Sequence, residues 1–147
     1  MYPYTNYYDA FYRQNNKLIK EVEKAIHCEY NAIHCYAKLA NLASDEKEKN
    51  RILEIRKDEI KHHHQFEQIY TKLTGRKPLQ PKLSEECPDG YLEGLEIALQ
   101  DEQITVDFYH EVADGTSDSL IKEAFRRAAA DEQNHAVWFL YFFAKHK

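Results

Sequence analysis

Four stretches of this chain carry apolar residues at alternating three- and four-residue steps, and each stripe is broken near its middle by a glutamate. Steps of that kind mark one face of an α-helix turned toward a core. In the first stretch Val22, Ile26, Ile33, Tyr36 and Ala40 leave Glu29 on the core line. In the second, Ile52, Ile55, Phe66, Ile69 and Leu73 leave Glu59 and His62 there. Leu92, Leu95, Leu99, Val106 and Tyr109 flank Glu102, and Phe125, Ala128, Phe139 and Phe142 flank Glu132 and His135. A carboxylate is expensive to bury unless it is paired or bound to metal, so four such placements call for a common cause.

The punctuation between the stripes predicts an all-α fold. Only four glycines and four prolines are present among 147 residues, and they cluster. Helix 1 is expected from about Asn15 to Ala43, and helix 2 follows an N-cap at Ser44 or Asp45 and stops at Thr74-Gly75. Helix 3 runs from about Asp89 to Asp114-Gly115, with Gly115 expected in the left-handed C-terminal position, and helix 4 starts from caps within Thr116 to Ser119. Short turns join helices 1 to 2 and 3 to 4, which makes two antiparallel hairpins. The run GRKPLQPKLSEECPDG holds three of the four prolines and reads as extended. Its length allows a crossover along the bundle, favoured over the plain up-down arrangement, which would need only a turn. One domain spanning 1–147 is expected, with an aromatic N-terminal arm at 1–14 and the crossover connection at 75–88.

Heights along the helices test whether the interrupting residues meet. Glu29 and Glu59 each lie about 15 residues from the first turn, roughly 22 Å down their helices, and Glu102 and Glu132 stand in the same relation to the second turn. Docking the hairpins brings all four to one level. Glu59/His62 and Glu132/His135 are i and i+3 pairs, which share a helical face and can grip one ion. A Glu from each of two helices with Glu-x-x-His from each of the other two is the donor set of a two-metal carboxylate site. The halves also repeat at an offset of about 73 residues, pairing Glu29 with Glu102, Tyr36 with Tyr109, Asp58-Glu59 with Asp131-Glu132 and Phe66 with Phe139. Chance register of a common helical residue is the competing explanation.

Other classes are disfavoured. A net charge of -5 with no Lys/Arg block argues against nucleic-acid binding. No apolar run reaches the length of a membrane span, and MYPYTNYYDAFYRQNN lacks the basic start and apolar stretch of a secretory signal, so no membrane association and a cytoplasmic location are expected. Cys28, Cys35 and Cys87 form no CxxC pair, which rules out a zinc ribbon or a rubredoxin-type iron site. They read as small buried or surface thiols rather than a framework, and Cys28 and Cys35 lie about 10 Å apart along one helix, too far to bridge each other.

The segments CEYNAIHCY, DEIKHHHQF, DEQITVDFY and DEQNHAVWF, within about Lys20 to Lys145, resemble the rubrerythrin and bacterioferritin branch of the ferritin-like di-iron proteins. The resemblance implies the long crossover, two iron ions (manganese or a mixed pair as the alternative), and bridging roles for Glu59 and Glu132 with His62 and His135 as terminal ligands. It implies a di-iron oxidoreductase acting as a peroxidase or ferroxidase. Such a protein reduces hydrogen peroxide, or oxidises ferrous iron with dioxygen or peroxide, using a separate electron donor. The alternatives are an iron-sequestering protein, a structural coat-type protein with a non-catalytic metal, and manganese-catalase-like disproportionation. Rubrerythrins carry a rubredoxin domain and a further Glu three residues beyond the third-helix ligand, where this chain has Thr105. No long fifth helix or haem site of a bacterioferritin is recognisable.

Around the six candidate ligands, Tyr36 and Tyr109 lie two turns beyond Glu29 and Glu102, where a phenol could donate to a ligand carboxylate, with plain core packing as the alternative. With Glu59 and Glu132 they are the candidate catalytic residues. Asp58 and Asp131 are candidates to orient a ligand histidine across the bundle, against a solvated helix charge. His63 and His64 point away from the face of His62 and read as surface imidazoles, as do His27, His34 and His110. Helix 4 ends in VWFLYFF, apolar on every face, which predicts cover by a homodimer contact or the N-terminal arm of a neighbouring chain, or by the chain's own crossover loop.

Overall fold

The computed structural model describes residues 3–83 and 86–147, and the side chains of 13–83 and 86–147. Four helices fill it: α1 (Pro3–Leu42), α2 (Glu46–Thr74), α3 (Tyr91–Gly115) and α4 (Ser119–His146). Asp45 caps α2, accepting from the Lys47 and Glu48 amides, and Asp118 caps α4, accepting from Leu120 and Ile121. Gly75 closes α2 at φ 73°, a left-handed conformation that glycine adopts without a Cβ penalty.

Some boundaries differ from expectation. Helix α1 starts at Pro3, so the aromatic arm is helical from there and continuous with α1; Met1 and Tyr2 lie outside the described residues. Gly115 is the last residue of α3 and has no positive φ. The chain leaves α3 through extended Thr116 instead, straight into the Asp118 cap. Ile33 and Leu99 are half-buried and Leu92 is exposed, because a 3.6-residue helix drifts away from a strict heptad line and carries these positions to the rim.

Packing is ring-like: α1 touches α2 and α3, α4 touches α3 and α2, and the diagonals make no comparable contact among the described residues. Neighbours run antiparallel. Between α1 and α3, Tyr36 meets Glu102 while Glu29 meets Tyr109, and between α2 and α4, His62 meets Asp131 while Asp58 meets His135. With α1 antiparallel to both α2 and α3, the latter two run the same way. The connection from α2 to α3 therefore crosses the length of the bundle, as the sequence favoured.

Two apolar clusters fill the interior. One gathers Val22, Ile26, Phe66, Tyr109, Val112 and Phe125, with the Phe66 and Phe125 rings stacked at 4.5 Å. The other gathers Tyr36, Leu39, Ile52, Ile55, Leu95, Phe139 and Phe142. Between them lies a layer of charge. Near the start of α3, Gly94 lets the helix approach α1 closely beside the second cluster, since a Cβ at that position would stand 2.6 Å from Leu39 Cδ1. On α4 Trp138 is half-covered by the Arg51 guanidinium of α2, 4.2 Å from the ring, whereas Val137, Leu140 and Tyr141 stay exposed. Among the described residues no helix is long and apolar enough to cross a membrane.

A buried carboxylate and histidine centre

The layer is built from the residues that interrupt the stripes. Glu29, Glu59, His62, Glu102, Glu132 and His135 are each no more than 2 % exposed, as deeply buried as the phenylalanines above and below them. Their donor atoms form two groups, Glu29–Glu59–His62–Glu132 and Glu59–Glu102–Glu132–His135, and in each the contributing atoms lie within 4.8 Å of one another. Glu59 and Glu132 belong to both. His62 Nδ1 lies 3.1 Å from Glu132 and 3.5 Å from Glu29 and Glu59, while His135 Nδ1 lies 3.2 Å from Glu59 and 3.6 Å from Glu102.

Behind the inward atoms stands an outer set of hydrogen bonds, duplicated across the bundle. His62 Nε2 contacts Asp131 at 2.8 Å and His135 Nε2 contacts Asp58 at 2.7 Å. Each bond fixes the ring so that Nδ1 faces the centre. Tyr109 donates to Glu29 at 2.5 Å and Tyr36 donates to Glu102. The tyrosines thus serve the carboxylate of the opposite hairpin, not the one on their own helix.

Six atoms with no hydrogen-bond partner point inward: Glu29 Oε2, Glu59 Oε1, His62 Nδ1, Glu102 Oε2, Glu132 Oε1 and His135 Nδ1. One comes from each of the six residues. Buried polar atoms left unmatched are costly, and this set of oxygen and imidazole donors is the one that two divalent ions satisfy. The two overlapping clusters fit a binuclear metal site.

Electrostatics agree. Burial, then the charges of Glu29 and Glu102, hold the Glu59 carboxyl well above the usual carboxylate range, and burial with Glu59, Glu102 and Glu29 does the same for Glu132. Burial alone would lower the two imidazoles; the bond of His62 to Asp131 and the adjacent Glu132, Glu29 and Glu59 carboxylates raise it far above the ordinary histidine value, and Glu102, Glu132 and Asp58 raise His135 to about 9. Burial, followed by the neighbouring Glu102 and Glu29 charges, keeps the Tyr36 and Tyr109 phenols protonated.

A cavity of about 290 Å³ on the α1·α3 face leads to this layer. Exposed Glu86, Ile97 and Ile104 line it together with Glu29, Glu59, Glu102 and Glu132, so it spans from the surface to the carboxylates. Thr105, standing where rubrerythrins have Glu, also lines it and donates its hydroxyl to its own helix at Asp101 O, 2.7 Å away.

Two features escaped sequence reasoning. Cys35 and Cys87 are joined by a disulfide, so the reading of all three cysteines as isolated thiols is corrected; Cys28 is free. Their 52-residue separation hides the pairing, which depends on where the crossover returns to α1. Glu48 is buried as well, accepting from Tyr91 at 2.9 Å and contacting His146 at 2.7 Å, although in sequence it resembles an ordinary first-turn acid. His34, His64 and His110 are exposed and His27 half-buried, as expected of non-ligands. His63 is half-buried with its Nε2 buried and unmatched, so its reading as a surface imidazole is corrected; its Nδ1 lies 3.1 Å from Glu67 and it stands outside both donor groups.

Four antiparallel helices that close on two ExxH pairs and two further glutamates define a ferritin-like bundle with a buried carboxylate and histidine di-metal site. The chain belongs to the rubrerythrin family, whose profile, described as Rubrerythrin, matches residues 20–143. It is 50% identical over 135 residues to the uncharacterized protein YhjR of Bacillus subtilis (strain 168), covering 92% of each chain. Its fold is similar to that of Desulfovibrio desulfuricans bacterioferritin, solved with its diiron site in different catalytic states (TM-score 0.78, 21% identity, 90% of this chain and 81% of that one). A hypothetical protein from Pyrococcus furiosus is also similar (TM-score 0.76, 20% identity, 86% and 88% covered).

Proposed function

We propose that this protein is a di-iron oxidoreductase that reduces hydrogen peroxide, or oxidises ferrous iron with dioxygen or peroxide, and draws electrons from a separate donor. The observation that carries this reading is the set of six inward, unmatched donor atoms on Glu29, Glu59, His62, Glu102, Glu132 and His135. Glu59 and Glu132, common to both donor groups, would be shared between the two ions, with Glu29 and His62 completing one group and Glu102 and His135 the other. Two redox-active ions held there supply the electrons that cleaving an O–O bond requires.

The chain's own residues do the rest. Asp131 and Asp58 keep the ligand imidazoles turned inward. Tyr36 and Tyr109 hold a proton on the phenol oxygen and direct it at Glu102 and Glu29, steadying each carboxylate without neutralising it. The cavity admits a small oxidant while the apolar clusters exclude bulk water. Family membership supports oxygen or peroxide chemistry, and the diiron site named for the bacterioferritin supports iron over manganese. A cytoplasmic homodimer completes the reading, with exposed Val137, Leu140 and Tyr141 as the contact.

Anaerobic loading with ferrous iron, followed by metal analysis and a peroxide-consumption assay under a chemical reductant, tests it. Two iron ions per chain with sustained turnover are expected, and Glu132→Ala loses both. Stoichiometric metal without turnover would leave sequestration or a structural role. Peroxide loss without any reductant in the manganese-loaded protein would mean disproportionation.

A further inference from the structure

The cavity on the α1·α3 face carries a second redox-capable group. Cys35 lines it, and its disulfide partner Cys87 sits between two other lining residues, Glu86 and Pro88. Both cysteines are half-buried, so a reductant in solution can reach the bond while the carboxylates lie at the inner end of the same cavity. Cys35 also directly precedes Tyr36, whose phenol donates to Glu102.

The bond is not the sole tie between the crossover and α1 among the described residues. Lys38, one turn on from Cys35, donates to the Cys87 carbonyl at 3.1 Å and pairs with Asp89 at 2.5 Å. With the S–S bond open these contacts would still draw the backbone at Cys87 toward α1, which favours re-closure. The internal repeat points the same way. Its counterpart of Cys35 is Phe108, lying beneath the Lys24 ammonium at 4.4 Å, so the second hairpin packs at this position without a bridge.

We propose that Cys35 and Cys87 supply electrons to the oxidant that the cavity brings to the centre: a dithiol/disulfide couple that an external dithiol reduces and that oxidant re-oxidises. The proposal rests on the peroxide-reducing reading above. In the reductive half, the external dithiol forms its own S–S bond, the Cys35–Cys87 bond breaks, and two electrons and two protons pass to the two thiols. In the oxidative half, the two thiols give up those electrons and protons as their S–S bond forms again. Hydrogen peroxide takes them up, its O–O bond breaks, and two waters leave. The disulfide in the structure is the oxidised state of this cycle.

Full-length chain, reduced and freed of reductant, is given one equivalent of hydrogen peroxide without oxygen, and its thiols are counted over time by alkylation and mass spectrometry. The Cys35–Cys87 bond should re-form at least tenfold faster in iron-loaded than in metal-free protein, with Cys28 still alkylated. Equal rates in protein that binds iron overturn this proposal and leave the di-metal reading standing, whereas failure to bind iron overturns both. In Cys35→Ser and Cys87→Ser, peroxide consumption driven by dithiothreitol should fall at least tenfold. Consumption driven by the one-electron reductant methyl viologen, and iron content, should stay within twofold of the parent. Equal loss with both reductants would mean a structural staple, and no loss with either would mean no redox role; each overturns the proposal.

Discussion

Glu59, Glu132 and His135 all bind protons more tightly in the folded chain than in the unfolded one, and their linkage to stability has one sign. Their ordinary values are 4.5 for the carboxyls and 6.5 for the imidazole, and folding raises all three, His135 to about 9. The stability they contribute to the metal-free fold is complete below the ordinary values and is lost as pH rises through the raised ones. Metal requires the deprotonated forms, so loading reverses the trend. The melting temperature of metal-free protein should therefore fall from about pH 5 to about pH 9, and the extra stability given by iron should grow over the same range. A metal-free melting point that climbs across this range would refute the arrangement. These residues were legible in the sequence because a charged side chain on an apolar stripe stands out against its neighbours. The pairing of each tyrosine with the opposite hairpin was not, since it depends on which helices end up side by side. Glu48 and the Cys35–Cys87 bond were hidden for the same reason: their partners come from distant elements.

The helix ends show how far local chemistry governs each element. Asp45 and Asp118 cap α2 and α4, and Gly75 ends α2, each from a signal carried by a few adjacent residues. Gly115 carried a similar signal and behaves otherwise, because the Thr116–Asp118 turn must enter α4 at once and the extended Thr116 makes that bend. The α3–α4 hairpin thus leans on Asp118, whose carboxylate satisfies two otherwise unpaired amides. Asp118→Ala should lower unfolding stability by about 1 kcal/mol in urea titration, with the slope unchanged. Helix α1 was read short at its start because Tyr4, Tyr7, Tyr8 and Phe11, although spaced as a helical stripe, read as an aromatic arm rather than as the continuation of the helix.

At the scale of the whole molecule, the crossover follows from two antiparallel pairings and makes the bundle nearly two-fold symmetric about its centre. The 73-residue offset maps the ligands and their Asp and Tyr partners onto one another, and the sequence showed this symmetry before any helix was placed. The outer surface breaks it. Val137, Leu140 and Tyr141 form an exposed apolar strip on α4, whereas Phe139 and Phe142 of the same run are buried and Trp138 lies under Arg51. Light scattering should find a dimer for the parent chain and a monomer for a Leu140→Glu/Tyr141→Glu variant, each folded by circular dichroism; a parent that scatters as a monomer would remove the strip from the dimer reading.

The charged layer between the two apolar clusters also gives the bundle a waist. Above and below it, rings interlock, and at its level six like-minded acceptors and imidazoles face one another with nothing apolar to join them. Without ions the layer is joined by its tyrosine and aspartate hydrogen bonds, a weaker grip than the interlocked rings on either side. Ions at the waist would tie the two ends together, so a metal centre there would also be the rivet that makes the bundle open as one piece.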